Sequence, residues 1–256
     1  MTIEGDTRPT LAYRISGCLA RILHRVRLEG VGNVPREGGA LLVANHASWF
    51  DGPLVVSAVE RPVRVVGDRR LARRRALAWY LAQVRAILIS PEDRPREMLT
   101  GIRAVRAALT NGELVCVFPE GQLTRDGRIG EFNSGPRCML RGSNVPVVPL
   151  GICGVWGGFF SYRYGHPMAH FPRHPRPRVT LRFGPQLPPE TPQDEIRRHI
   201  AALALEPERS CGGTAHAPGV TGSAPSVGWA TPGPGTPSSL RRRHGRWSPH
   251  QREAGA

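Results

Sequence analysis

Short apolar runs of strand length alternate with stretches of helical periodicity from residue 40 to residue 205 of this 256-residue chain. In the helical stretches, hydrophobic residues recur every three or four positions, which is the spacing of an amphipathic helix. Such alternation favours parallel strands, because each helix returns the chain to the starting edge of the sheet. The sequence therefore predicts a single α/β domain with a mostly parallel, mixed sheet covered by helices.

The predicted strands are 40–44, 63–66, 86–89, 114–118, 145–152 and 179–183. The predicted helices are 11–22, 53–59, 71–84, 98–109 and 196–204. Apolar and polar residues alternate over 179–183, which indicates a strand with one wet face or a strand at an edge.

The two ends of the chain differ from this middle part, 25–206. Arginines stand among the apolar residues of 1–24, so this amphipathic helix either rests in a membrane interface or packs on the core as a surface helix. Residues 207–256 are rich in Gly, Pro and Ser and include Arg241-Arg242-Arg243. They offer too little apolar surface to offset the entropy of ordering, and are predicted to form a disordered basic tail.

The formal net charge is +15, and every residue in the Lys+Arg count is arginine. Such an excess favours an anionic partner: a membrane surface, an acidic small molecule or nucleic acid. Because the main domain carries no recognisable nucleic-acid-binding motif, that function is a second hypothesis that rests on the tail. The five cysteines have no metal-ligand spacing, which predicts reduced thiols in a cytosolic protein. No apolar run is long enough to span a bilayer, so a membrane would be met from the cytoplasmic side only.

A histidine and an aspartate lie where the first apolar strand gives way to a helix. His46 and Asp51 are five residues apart, which would point them away from each other on an ideal helix. A turn between Ala44 and Pro53 allows them to meet, at the edge where α/β sheets place their sites. A histidine oriented by a carboxylate removes a proton from a hydroxyl that attacks a carbonyl. A buried structural histidine is the alternative.

One later segment follows a predicted strand, and another lies inside one. Phe118-Pro119-Glu120-Gly121 follows a buried strand and fits either a binding loop or a capped turn. Two prolines interrupt the apolar run 145–149, which a regular strand resists because proline has no N–H. A bulged strand beside a pocket and a plain edge strand both explain that run.

Aromatic residues with Arg163 gather in 156–164, and fit either a lipid interface or a corner of the core.

In this order the segments resemble the motifs of the glycerolipid acyltransferase family, over about residues 25–190. Asn45, His46 and Asp51 match its Asn-His-x4-Asp motif, and 118–121 matches its Phe-Pro-Glu-Gly motif. The apolar motif that ends in proline corresponds to 145–149, and the motif of a strand followed by an arginine corresponds to 87–94.

The resemblance implies an O-acyltransferase that moves a fatty acyl group from acyl-carrier protein or coenzyme A to the free glycerol hydroxyl of a lysophospholipid. His46 and Asp51 are the implied catalytic pair, with Gly52 near the oxyanion and Arg94, Glu120 and Arg125 at the acceptor head group. Membrane lipids and the thioester donor are the implied partners, and neither a metal nor a further cofactor is implied. The remaining implied substrate-binding residues are Asn45, Phe118, Pro119, Gly121 and Pro149.

The chain departs from the family after its Phe-Pro-Glu-Gly motif. Many members continue with Thr-Arg, and that arginine helps to hold the phosphate of the acceptor; here Gln122 and Leu123 occupy the two places. The segment is most similar to the acyltransferase domain of bacterial 2-acylglycerophosphoethanolamine acyltransferases. We therefore expect a lysophospholipid acceptor in the broad sense, with lysophosphatidic acid or a lyso-aminolipid as alternatives.

Overall fold

The computed structural model describes residues 11–90, 92–169 and 176–205, all within one compact unit. Its strands are β1 (Arg25–Glu29), β2 (Ala40–Ala44), β3 (Val63–Gly67), β4 (Ile87–Leu88), β5 (Leu114–Val117), β6 (Val147–Cys153) and β7 (Arg178–Phe183). Its helices are α1 (Leu11–Leu23), α2 (Asp51–Ala58), α3 (Arg75–Gln83), α4 (Pro95–Thr110), α5 (Gly135–Leu140) and α6 (Gln193–Ala204). The tail predicted at 207–256 lies outside the described residues.

The strands form one sheet in the order β1-β7-β6-β2-β5-β3-β4. The pairs are parallel except β6 with β7, which is antiparallel. Apolar side chains cover both faces, because successive residues of a strand point to opposite sides. Leu42 and Cys116 enter one core cluster while Leu41 and Val115 enter the other. The predicted α/β fold with a mostly parallel, mixed sheet is confirmed.

Two elements were not predicted, and one predicted helix begins differently. In β1, Arg, Val, Arg, Leu and Glu alternate without an apolar run, and the segment becomes a strand by pairing with β7. The short helix α5 was also missed. The helix predicted over 71–84 starts as a 3-10 turn, Arg69–Arg73, because Asp68 accepts a hydrogen bond from the Arg70 N–H at 2.8 Å.

The edge interpretation of the run 145–149 is wrong, because β6 lies between β7 and β2. Pro149 is tolerated there because regular pairing on the β7 side is interrupted. Its carbonyl accepts from the Gly184 N–H at 2.8 Å, just past the end of β7, and regular bonding resumes only at Leu187. Strand β7 is not at an edge either, but its predicted wet face is confirmed by alternating buried and partly exposed residues.

Helix α1 buries its small residues and leaves several of its large apolar residues exposed. Ala12, Ser16 and Ala20 are buried, and α1 lies against α2. Leu11 and Ile22 are each 59% exposed. Small side chains let two helices approach closely, which agrees with the burial of these three residues. None of the described helices is long and apolar enough to cross a lipid bilayer.

Candidate active site

The turn between β2 and α2 brings His46 and Asp51 together. The His46 Nδ1 atom lies 2.9 Å from Asp51 Oδ2. The same oxygen accepts hydrogen bonds from the backbone N–H groups of Ala47 and Ser48, each at 2.8 Å. Asp51 is fully buried, whereas the His46 side chain is 22% exposed. The carboxylate is therefore fixed, and Nε2 of His46 remains for a substrate.

Strand β5 delivers a second segment to the same histidine. The phenyl ring of Phe118 stacks on the His46 imidazole with centroids 4.2 Å apart and an interplanar angle of 21°. Glu120 Oε1 accepts a hydrogen bond from the His46 backbone N–H at 2.8 Å. The segment after β5 thus contacts His46 at both its ring and its backbone N–H.

Glu120 is bound on both sides by backbone. Its Oε2 atom accepts from the Gly130 N–H at 2.8 Å, and the residue is 8% exposed. Burial raises the pKa of Glu120, and the hydrogen bonds from Gly130 and His46 offset part of that rise. The geometry assigns this carboxylate a part in joining chain segments, which the sequence did not indicate; its contact with an acceptor stays a prediction.

Asn45 extends the pairing of β2 with β6 beyond the end of the strand. Its Oδ1 accepts from the Ile152 N–H at 2.7 Å, and its Nδ2 donates to the Ile152 carbonyl at 3.0 Å. The oxygen and the nitrogen of the Asn45 side-chain amide are thereby both hydrogen-bonded inside the protein. Gly52 lies in the first turn of α2, where backbone N–H groups lack helical partners.

The other motif residues shape the loop and the sheet. Pro119 is buried and its carbonyl accepts from the Asn133 N–H at 2.9 Å. Gly121 has a φ of +67°, and a Cβ there would lie 2.7 Å from Asn133 Nδ2, so this position favours glycine. Pro149 is buried inside β6.

The loop after Gly121 returns to the histidine. Thr124 donates its N–H to the His46 carbonyl at 3.0 Å. Leu123, at the position of the usual family arginine, is only 9% exposed. Arg125 is exposed, and its guanidinium carbon lies 3.8 Å from the centroid of the Tyr162 ring. No carboxylate within the described ranges pairs with Arg125.

Three rings continue from Arg125 along the site, and we call Trp49, Tyr162 and His166 the aromatic rim. His166 contacts Tyr162 and Trp49 edge-on, at 5.8 Å and 5.6 Å between centroids. The aromatic richness of 156–164 was visible in the sequence, but its place against the turn between β2 and α2 depends on tertiary contacts such as Trp49 N–H to Phe160 O at 3.1 Å.

Arg94 lies at the start of a different helix from the one that carries Asp51, and its contact with an acceptor stays a prediction. It precedes α4 and follows the outermost strand β4, with β3 and β5 between that strand and β2. Its backbone N–H donates to Glu97 at 3.1 Å. In the described part of the chain, His, Cys, Asp and Glu side chains form no group of three that would hold a metal ion.

The chain matches the family model named Acyltransferase over residues 25–153, half of its length. It is 25% identical over 133 residues to the chloroplastic 1-acyl-sn-glycerol-3-phosphate acyltransferase of Arabidopsis thaliana, covering 52% of this chain and 37% of that one. It is 29% identical over 161 residues to the lyso-ornithine lipid O-acyltransferase of Rhizobium meliloti, covering 60% and 52%. The chain thus spans about half or less of the length of these curated relatives.

A solved structure has the same fold. The crystal structure of the 1-acyl-sn-glycerophosphate (LPA) acyltransferase of Thermotoga maritima superposes with a TM-score of 0.58 at 22% identity, over 75% of this chain and 76% of that one. The sequence match includes His46, Asp51 and the segment 118–121. The chain therefore belongs to the glycerolipid acyltransferase family.

Proposed function

We propose that this protein moves a fatty acyl group from a thioester to the free glycerol hydroxyl of a lysophospholipid, in phospholipid synthesis or remodelling. The observation that supports this most directly is the 2.9 Å contact between His46 Nδ1 and the buried carboxylate of Asp51. A histidine held this way presents a basic nitrogen at the carboxyl end of the sheet, where an acceptor has access.

The proposed chemistry is a direct transfer. His46 Nε2 removes the proton of the acceptor hydroxyl while its oxygen attacks the thioester carbonyl. The N–H of Gly52, in the first turn of α2, stabilises the charged oxygen of the tetrahedral intermediate. When the intermediate collapses, the carbon–sulfur bond breaks, and the proton on His46 leaves with the thiol of acyl-carrier protein or coenzyme A.

Purified His46→Ala and Asp51→Asn proteins test this mechanism. We expect each to lose about 10²–10⁴-fold in transfer rate, the usual contribution of a positioned general base. Lysophospholipids are incubated with both kinds of donor, and products are identified by mass. His199→Ala, on α6 away from the pair, is the control and keeps its rate. Wild-type rate in His46→Ala would show the mechanism to be wrong.

Arg125 is our candidate for the anchor of an acceptor phosphate. The neighbouring Thr124 is hydrogen-bonded to the His46 carbonyl. The Arg125 guanidinium stacks on the Tyr162 ring, and no carboxylate of the described residues forms an ion pair with it. An arginine stacked on an aromatic ring keeps its forked donors for a phosphate. Leu123 is buried and offers none.

Arg125→Gln tests the anchor with Arg128→Gln, an exposed residue of the same loop, as the control. We expect the KM for phosphate-bearing acceptors to rise about tenfold or more, because a charge-assisted hydrogen bond contributes ~1.5–3 kcal/mol. The likeness to the Rhizobium meliloti relative favours a lyso-ornithine lipid as a second candidate acceptor. If such a lipid is the acceptor, its KM is unchanged in Arg125→Gln.

The exposed side of α1 is our candidate for contact with a membrane surface. Leu11, Leu19 and Ile22 are 59%, 41% and 59% exposed, with Arg14 and Arg21 exposed among them. Apolar and basic residues on one helix suit an anionic lipid interface. We expect sedimentation with phosphatidylglycerol vesicles, weaker binding to phosphatidylcholine, and loss of binding in Leu11→Gln/Ile22→Gln. Equal binding by that variant would exclude this surface.

A further inference from the structure

Two buried side-chain atoms have no hydrogen-bond partner among the described residues: Asp51 Oδ1, in the pair with His46, and His24 Nδ1. Asp51 has no exposed surface, and His24 is 6% exposed. Buried polar atoms are nearly always hydrogen-bonded, to protein or to ordered water. Each of these atoms therefore requires a partner.

The Asp51 carboxylate is satisfied on one side only. Its Oδ2 atom accepts three hydrogen bonds, from His46, Ala47 and Ser48, while Oδ1 accepts none from the described residues. Oδ1 has no hydrogen to give, so its missing partner must be a donor.

His24 is the residue between α1 and β1, and its ring lies against the segment that carries Asp51. Its ring packs against Phe50, the residue before Asp51, with centroids 5.3 Å apart. Burial lowers the pKa of His24, and the charge of Asp51 offsets part of that shift. His24 is therefore neutral near pH 7 and carries a single N–H, within the electrostatic reach of Asp51.

We propose that one trapped water molecule joins the two atoms, accepting a hydrogen bond from His24 Nδ1–H and donating one to Asp51 Oδ1. His24 is then a positioning residue that holds the plane of the Asp51 carboxylate. A buried water is stable where it finds at least two polar partners, and these two atoms supply them. The effect on catalysis rests on the proposed function, because it acts through the contact of Asp51 with His46.

The tautomer of His24 tests the bridge without any assay of activity. In the proposed bridge His24 donates to the water, so it carries its proton on Nδ1, whereas a water that donated to both atoms would leave the proton on Nε2. Two-bond ¹⁵N–¹H correlation spectra of histidine-labelled protein distinguish the two neutral tautomers, and the His24 signal is assigned by its loss in His24→Asn. We expect the Nδ1–H form, and a proton on Nε2 would overturn the proposal.

Steady-state kinetics of two variants test the positioning role. If His24 only filled space, His24→Phe would keep a higher kcat than His24→Asn, whereas the positioning role predicts the reverse. His24→Phe keeps a ring against Phe50 but has no donor, whereas His24→Asn loses the ring and places an amide N–H near the position of Nδ1. We expect His24→Phe to lose about tenfold in kcat with KM unchanged, as loss of outer supporting contacts commonly does. His24→Asn should keep kcat within about threefold of wild type, although its melting temperature falls further.

A His24→Phe protein with full kcat, or a His24→Asn protein that loses as much, would overturn the positioning role. Circular dichroism and melting temperatures establish that both variants are folded. If wild-type protein transfers no acyl group to any acceptor, the proposed function fails, while the tautomer measurement still decides the bridge.

Discussion

Glu120 accepts a hydrogen bond from the backbone N–H of His46 at 2.8 Å, so a side chain after β5 holds the main chain after β2. Burial raises the pKa of this carboxyl group. The folded protein therefore holds the Glu120 proton more tightly than the unfolded chain does. Its contribution to stability is largest at low pH, and it falls as pH rises from the ordinary glutamate pKa of about 4.3 to the raised value.

Glu120→Gln is expected to remove this part of the pH dependence. The free energy of unfolding, from urea titrations between about pH 4 and pH 7, should decline less with pH in the variant than in wild type. At pH 7 the variant is also less stable, by about 1–3 kcal/mol, because its amide faces an N–H donor. Glu131→Gln, at an exposed position, is the control. Parallel curves for Glu120→Gln and wild type would contradict the assignment.

Phe118→Leu is expected to lower kcat by about 2–10-fold, because a stacked pair is worth ~0.5–1.5 kcal/mol beyond its buried area. The KM for the acceptor stays near its wild-type value, since the ring orients His46. Phe118→Tyr keeps the flat ring and the rate. Steady-state kinetics decide, and a change confined to KM would instead assign Phe118 to substrate binding.

Leu123→Arg restores the residue usual in the family and is nevertheless expected to destabilise this protein. The side chain is 9% exposed, and a buried cation without a partner is costly. We expect the melting temperature to fall by about 5 °C or more, at ~2–4 °C per kcal/mol. Gln122→Arg, at the exposed neighbouring position, leaves it unchanged. Equal melting temperatures would mean that the loop accommodates an arginine at position 123.

Asn45→Ala is expected to cost about 2–4 kcal/mol, because it leaves the N–H and carbonyl of Ile152 without their partners. Urea titration measures the loss, and Asn144→Ala, at an exposed position, provides the reference. A loss no larger than that of Asn144→Ala would show that water replaces Asn45.

The sequence predicted the alternation of strands and helices well, because buried parallel strands such as Ala40–Ala44 are continuous apolar runs. It predicted the meeting of His46 and Asp51 from the turn between them. It missed β1, whose alternating arginines become a strand only through pairing with β7. Periodicity also cannot tell which side of α1 is buried, because close packing on α2 selects small residues over large ones.

Long-range contacts set the parts of the site that could not be predicted. Arg94 looked equivalent to Arg125 as a neighbour of the acceptor, but strand order places it beyond β5 and β3. The side-chain carboxylate of Glu120 accepts from the backbone N–H of His46, 74 positions away, and from that of Gly130, 10 positions away. His24 has no motif around it, and only burial beside Phe50 and Asp51 marks it out.

Glu120 and Thr124 form hydrogen bonds with the backbone N–H and carbonyl of residue 46, not with its imidazole. These two bonds therefore do not depend on the side chain at position 46. The His46→Ala protein would then keep the backbone of the site but lack the general base. Soaked or co-crystallised with acyl thioester and lysolipid together, it would hold both reactants side by side without consuming them, and so reveal the identity of the acceptor by direct observation.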